Sequence, residues 1–316
     1  MTRTLTTSPD DLARAAGLLR QGLLVGFPTE TVYGLGGDAR SDAAVAGIYA
    51  AKGRPSFNPL IVHVSDAGVA ERYGVFDPVT IALAQAFWPG PLTLVVPLRP
   101  GQGLSPLVTA GLPTVALRVP AHPVAQGLLA AFGGPLAAPS ANPSGRVSPT
   151  RSSHVTDGLG GRIAAVVDGG ACAVGVESTI VGVATDGVRL LRPGGIAAEA
   201  IEAVLGKPLM AMTDPARPLA PGQLASHYAP AAALRLGVTR PDPGEVWIGF
   251  GTGGDLDLSP SGDLAEAAAA LFHTLREADR MAGPGGRIAV APVPETGLGR
   301  AINDRLRRAA APCGTA

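Results

Sequence analysis

Two stretches near the N-terminus concentrate side chains that can do chemistry. The first is Pro28-Thr29-Glu30-Thr31-Val32-Tyr33-Gly34-Leu35. The second, after a span with helical spacing, is Lys52-Gly53-Arg54-Pro55-Ser56-Phe57-Asn58-Pro59-Leu60-Ile61-Val62-His63. They place hydroxyls, a carboxylate, two cations, an amide and an imidazole in loops bounded by apolar runs. Loops held by a rigid scaffold are where binding and catalysis concentrate. Of 25 cationic residues only Lys52 and Lys207 are lysines. A compact ammonium and a planar guanidinium two residues apart suit different jobs on one polyanion, a point charge and a bidentate fork. In isolation the same residues could also form a solvated, charged turn.

Other segments repeat the pattern. Thr114-Val115-Ala116-Leu117-Arg118-Val119-Pro120 sets a cation inside an apolar alternation, a place where Arg often lies at an edge or snorkels. Pro139-Ser140-Ala141-Asn142-Pro143-Ser144-Gly145 ends a strand with small polar groups. Gly175-Val176-Glu177-Ser178-Thr179-Ile180 begins one with an acid and two hydroxyls, and Arg192-Pro193-Gly194-Gly195 closes the next with a cation. Singly, each could be an ordinary turn. Together they fit one polyanionic ligand in one cleft. Standard alternatives are missing: there is no Gly-x-x-x-x-Gly-Lys-Ser/Thr phosphate loop and no Gly-x-Ser-x-Gly elbow. Gly34-Leu35-Gly36-Gly37 lacks dinucleotide spacing, and the two cysteines and five histidines are scattered rather than set as metal ligands.

The elements that must carry these loops read as α/β. Ser8-Pro9-Asp10-Asp11 is a helix start with a hydroxyl cap and early acids, followed by Leu12, Ala15, Ala16 and Leu19 at helical spacing. Strands are predicted at 23–27, 60–64, 92–97, 114–119, 135–138, 163–167, 178–183 and 188–191. Helices are predicted at 42–51, 78–87, 122–132, 150–158 and 197–205. Interleaving of the two types indicates layers, and the uneven strand spacing predicts a mixed sheet. Residues 207–230 hold five prolines and little periodicity, which reads as a linker. Strand 245–250, helix 263–282, strand 287–292 and helix 297–310 then form a smaller α/β unit. The division is 1–206, 207–230 and 231–316.

Bulk properties set limits. At 316 residues two domains are expected, and 46% hydrophobic content argues against disorder. Zero formal charge gives no overall field toward nucleic acid or anionic membrane, and 4% aromatics leave few stacking platforms. Cys172 and Cys313, with no leader ahead of them, predict reduced thiols. With no apolar run near the roughly 18 residues of a membrane span, a cytoplasmic location is expected.

Taken in order, PTETVYGLG, KGRP with NPL and a following His, WPGPLT, TVALRVP, APSAN-x-SG, DGG, ESTI and LRPG resemble the threonylcarbamoyl-AMP synthase family, the Sua5/YrdC/YciO group, over residues 5–206. The resemblance implies a twisted mixed sheet with flanking helices (YrdC-like) plus a smaller α/β C-terminal Sua5 domain. Ala220 to Pro230 resembles the linker of the longer Sua5 type, usually SPGMKYRHYAP, with Gln223, Leu224, Ala225 and Ser226 replacing its centre. In the family that segment folds over the active site, and Tyr228 matches its lid contact. The implied activity condenses L-threonine, bicarbonate and ATP into L-threonylcarbamoyl-AMP and pyrophosphate, with Mg²⁺. The product feeds a tRNA threonylcarbamoyl transferase complex making t6A, so direct tRNA binding by this chain is expected to be weak or absent. By similarity Lys52 and Arg54 are catalytic. Asn58, Thr114, Ser140, Asn142, Ser148, Arg192 and Tyr228 join them on ATP, and Thr31, His63, Arg118, Ala138 and Ser178 hold threonine. Two rivals stay open at this point: a nucleotide- or RNA-binding regulatory module, and a carbamoyl-adenylate enzyme of hydrogenase maturation, which shares this domain.

Overall fold

The computed structural model describes residues 1–184, 187–210, 227–251 and 253–311. The altered centre of the connecting segment, Gln223 to Ser226, and Cys313 lie outside the described residues. The first unit begins β1 (Arg3–Leu5), α1 (Pro9–Arg20), β2 (Val25–Phe27), β3 (Gly34–Asp38), α2 (Asp42–Lys52), β4 (Ile61–His63), α3 (Ala67–Ala70), α4 (Pro78–Phe87) and β5 (Leu92–Pro97). It continues α5 (Pro106–Thr109), β6 (Thr114–Arg118), α6 (Pro123–Phe132), β7 (Leu136–Ala137), α7 (Ser152–Leu159), β8 (Ala165–Val167), β9 (Thr179–Ala184), β10 (Gly187–Arg192) and α8 (Ala198–Leu205). The second unit is β11 (Ala233–Arg235), β12 (Glu245–Gly249), β13 (Leu256–Asp257), α9 (Leu264–Ala282), β14 (Arg287–Val290) and α10 (Gly299–Ala310).

Local chemistry starts and stops these elements. The side chains of Ser8, Ser41, Asp66 and Asp77 accept from backbone amides of the first turns of α1, α2, α3 and α4, satisfying donors the helix itself leaves open. α2 ends at Gly53, whose φ of 59° is left-handed. That turn swings the chain from Lys52 directly into the Arg54 loop.

The first ten strands form one mixed sheet in the order β1-β8-β2-β3-β7-β4-β6-β5-β9-β10, and β11-β14-β12-β13 form a second, parallel one. The glycine run of β3, expected as loop, is a central strand. With no side-chain alternation it carries no periodic signal, and its neighbours impose the conformation. β3 pairs β2 and β7, and a Cβ on Gly36 would come within 2.9 Å of the Phe27 ring. β1 is too short to show periodicity and is held by its pairing with β8.

Register decides where function can sit. In the parallel β4–β6 pair Ile61 faces Ala116 and His63 faces Arg118, so these alternate residues share one face of the sheet. Val95 opposite Ala116, and Thr93 opposite Ile180, extend that face across β5 and β9. The other face sends Val62, Leu94, Val96 and Leu117 into the main core under the helices. The first face has only a small apolar floor, Ile61, Val95, Ala116, Ile180 and Leu191. The second unit rests against this side, and the two units share a core in which Val32, Val147 and Val176 of the first join Ile248, Leu271, Phe272, Ile302 and Leu306 of the second. Among the described residues no helix is long and apolar enough to cross a membrane.

The shared core makes a test. A Cβ on Gly175 (φ 75°) would lie 2.3 Å from the Ala268 carbonyl and 2.4 Å from the Ala269 Cα on α9, whereas one on Gly133 (φ 73°) meets open space. Gly133→Ala is expected to lose only the left-handed penalty, roughly 1–2 kcal/mol. Gly175→Ala adds overpacking of roughly 1–3 kcal/mol. Urea denaturation of both variants checks this, and equal losses would contradict a tight junction.

Candidate active site

A cavity of about 40 Å³ opens on the face just described. Its walls bring together Thr31, His63, Arg118, Ala138 and Ser178, the five residues expected around threonine, with Arg54, Ser140, Arg192 and Tyr228 from the expected nucleotide set. Lys52, Asn58, Asn142 and Ser148 are buried but do not line it. Thr114 stands apart at the opposite end of β6, four residues or ~13 Å from Arg118. The lining also includes Thr29, Val32, Gly34, Ile61, Pro139, Glu177 and His227, none assigned from sequence. Glu177 had a signal, an acid just ahead of a buried strand. His227 had one in its place beside Tyr228.

Each wall is positioned by backbone. Arg118 leaves the end of β6 beside His63 and spends three donors on protein: Nη1 to the Thr31 hydroxyl at 2.9 Å, Nη2 to Glu30 Oε1 at 2.7 Å and Nε to the Gly90 carbonyl at 3.3 Å. A guanidinium has five donors, so it can still meet a carboxylate. Thr31 is fixed in turn by Thr29, whose hydroxyl lies 2.7 Å away. Arg54 is tied to the carbonyls of Asn58 and Pro59, and Arg192 to the carbonyl and hydroxyl of Ser178. Ser178 also shares a 2.7 Å hydroxyl contact with Thr93 on the neighbouring strand. Lys52 works from behind: its ammonium donates to the carbonyls of Ser140 and Asn142 and so holds the loop that presents Ser140.

His227 and Tyr228, at the end of the connecting segment, complete the lining. Tyr228 is buried, stacks on Phe272 with centroids 5.5 Å apart, and packs against His227 at 4.1 Å. Its φ of 64° is uncommon for a residue with a side chain.

Electrostatically the site is a nest of buried cations. Burial pulls Lys52 well below the ordinary lysine value, with Arg54 adding repulsion, and lowers Arg54 to about 10. Burial, followed by nearby arginines or Lys52, pushes His63 and His227 down to about 3, so both imidazoles are neutral near pH 7. For Glu177 burial works upward, yet Arg305 and Arg192 overcome it and hold the carboxylate at about 2. Glu30 is likewise held below its ordinary value by Arg118 against the effect of burial. Buried side-chain atoms without a hydrogen-bond partner gather here: Oδ1 of Asn58 and Asn142, and Nδ1 of His63 and His227. Such groups call for a ligand or water.

These shifts share a sign. A group whose folded pKa is depressed stabilises the fold above its unfolded value and loses that contribution as pH falls. For His63 and His227 the loss begins near the ordinary histidine value of 6.5 and runs toward 3. Each adds a slope of roughly 1.4 kcal/mol per pH unit. Thermal unfolding between pH 7.5 and 5 is expected to show falling stability, and a His63→Gln, His227→Gln variant a flatter curve. An unchanged slope would contradict neutral burial.

Residues 17–194 match the Sua5/YciO/YrdC family model, described as telomere recombination, and residues 196–311 match the threonylcarbamoyl-AMP synthase C-terminal domain. A Bacillus subtilis protein named threonylcarbamoyl-AMP synthase is 44% identical across 98% of this chain and 96% of its own. The crystal structure of P. abyssi Sua5 complexed with L-threonine superposes with a TM-score of 0.89 at 37% identity, covering 98% of this chain and 97% of that one. Full-length HypF shares only the fold, with a TM-score of 0.53 at 20% identity over 59% of this chain and 29% of its own. On both of its parts, therefore, the chain belongs to the Sua5-type threonylcarbamoyl-AMP synthase family.

Proposed function

We propose that this chain condenses L-threonine, bicarbonate and ATP into L-threonylcarbamoyl-AMP and pyrophosphate, as a nucleotidyltransferase in tRNA t6A synthesis. One observation carries the reading: a single cavity is lined both by Arg118, Thr31 and His63, suited to an amino acid, and by Arg54, Ser140 and Arg192, suited to a polyanion. In the first step the threonine amine joins bicarbonate and water leaves. The resulting N-threonylcarbamate carboxylate attacks the α-phosphorus of ATP, and the bond to the β,γ-diphosphate breaks to release pyrophosphate. No protein nucleophile is needed; positioning and charge neutralisation do the work.

Arg118 is our candidate for the threonine carboxylate, with Ser178 and the small Ala138 shaping the pocket. His63 at about 3 is too weakly basic to take a proton efficiently near neutral pH, and an orienting hydrogen bond suits it better. Arg54 and Arg192 would meet the triphosphate. Lys52 would act through the Ser140 loop, and an approaching phosphate would favour its charged form. Asn58, Asn142 and Ser148 back these groups. Tyr228 and His227 must move aside for entry, because about 40 Å³ does not admit a nucleotide. We keep 1–206, 207–230 and 231–316 as catalytic domain, connecting lid and Sua5 domain.

Among the described residues no group of three or more acidic, histidine or cysteine side chains could hold a metal. We propose that Mg²⁺ enters on the ATP phosphates, its usual partners. Consumption of the adenylate by a tRNA transferase complex and a cytoplasmic location complete the proposal. A buried free Cys172, pushed up to about 12 by burial, fits a reducing compartment.

Pyrophosphate release, measured with each component omitted in turn, is expected to need threonine and bicarbonate together; release indifferent to threonine would reject the reading. Arg118→Ala should raise the threonine KM roughly 10- to 100-fold, the equivalent of 1.5–3 kcal/mol for a charged hydrogen bond, and an unchanged KM would remove Arg118 from that role. Lys52→Ala should abolish adenylate formation, so near-normal turnover would clear Lys52 of any part in it.

A further inference from the structure

The carboxylate in the cavity wall is governed from outside the catalytic sheet. Arg305 lies on α10 of the second unit, at a position of the helix's apolar stripe otherwise filled by Ala301, Ile302, Leu306 and Ala309. It is completely buried. Its Nε donates to Glu177 Oε2 at 2.8 Å, and its Nη1 donates to the Pro193 carbonyl at 2.8 Å and to Asp304 Oδ2 at 2.8 Å. The guanidinium carbon stands 5.4 Å from the centre of the Tyr228 ring. One side chain therefore touches two residues of the cavity wall, Glu177 and Tyr228, and the carbonyl of the residue that follows a third, Arg192.

Glu177 needs such a partner. Its second oxygen accepts from the Ser148 hydroxyl at 2.5 Å, so both oxygens are fixed. It is the acid among the residues lining a cavity otherwise walled by Arg54, Arg118 and Arg192. An unneutralised carboxylate there would repel a triphosphate at short range and in a low dielectric. Asp304, which accepts from both Arg305 and Arg308, orients the guanidinium from its own helix.

We propose that Arg305 is a positioning residue for nucleoside triphosphate binding, by which the second unit neutralises Glu177 and fixes the wall residues Glu177 and Tyr228, with Arg192 held through the Pro193 carbonyl next to it. This rests on the synthase reading for the identity of the anion. On this inference the second unit supplies the ion-pair partner of Glu177, and its contribution is selective for the nucleotide over the amino acid.

The test separates this from a plain staple between units. Binding of a non-hydrolysable ATP analogue is measured by calorimetry on the full chain, alongside KM for ATP and for threonine. Arg305→Gln is expected to weaken analogue binding and raise the ATP KM tenfold or more, with the threonine KM within about threefold of wild type. Adding Glu177→Gln to that variant removes the stranded charge and should recover most of the analogue affinity. Arg305→Lys, which keeps the charge, should stay closer to wild type than Arg305→Gln. Parallel losses for both substrates, or no recovery in the double variant, would overturn the proposal. Should Arg305→Gln fail to fold, Arg305→Lys and the double variant carry the same comparison: analogue affinity far below wild type in both overturns it. Because analogue binding needs no turnover, a wild-type enzyme without threonine-dependent pyrophosphate release would count against the synthase reading and not against this one.

Discussion

Three guanidiniums and one ammonium are buried around a cavity too small for a nucleotide, and their mutual repulsion is what the rest of the structure answers. Stranding a charge in a low dielectric is strongly unfavourable unless oxygens surround it. The fold supplies those oxygens from chain that has just left a strand or is about to enter one. Carbonyls of Asn58 and Pro59 hold Arg54, those of Ser140 and Asn142 hold Lys52, that of Gly90 supports Arg118, and that of Ser178 holds Arg192. Two acids complete the set, Glu30 for Arg118 and Glu177 near Arg192. The protein alone leaves the site cationic. A polyanion completes the balance, which is why a chain of zero net charge can still select one.

The same constraint explains why the two units are not separable modules. The cavity-bearing face of the large sheet has too little apolar surface of its own, and α9 of the second unit and the His227–Tyr228 corner of the connecting segment cover it. Val32, Val147 and Val176 are buried by that contact, not by the first unit's main core. Charge and apolar burial thus meet at one junction, where Glu177 faces the cavity on one side and α10 on the other.

Much of this was legible in the residues. The strands expected at 92–97 and 114–119 and the Ser8 cap of α1 follow from apolar runs and from a hydroxyl before helical periodicity. The cations at strand-to-loop junctions pointed to a common cleft, and nine of the expected site residues do line one cavity. What escaped was what depends on partners far along the chain. β3 is a strand only because β2 and β7 flank it. Lys52 reads from sequence as a point charge on a polyanion, and only the fold shows that the Ser140 and Asn142 carbonyls hold it. Thr114 shares a strand with Arg118 but not an end of it. Arg305 did leave a trace, a cation on the apolar stripe of a helix, although its meaning lies in Glu177, 128 residues away.

Tyr228 carries a final consequence. A side-chain-bearing residue in the left-handed region sits about 1–2 kcal/mol above a relaxed backbone. The covered form therefore holds a built-in bias against itself, one that ring stacking on Phe272 and the Arg305 cation must outweigh. A bias of that size changes the ratio of covered to uncovered molecules about 5- to 30-fold. A ligand that binds the cavity better with the corner displaced would draw on that bias.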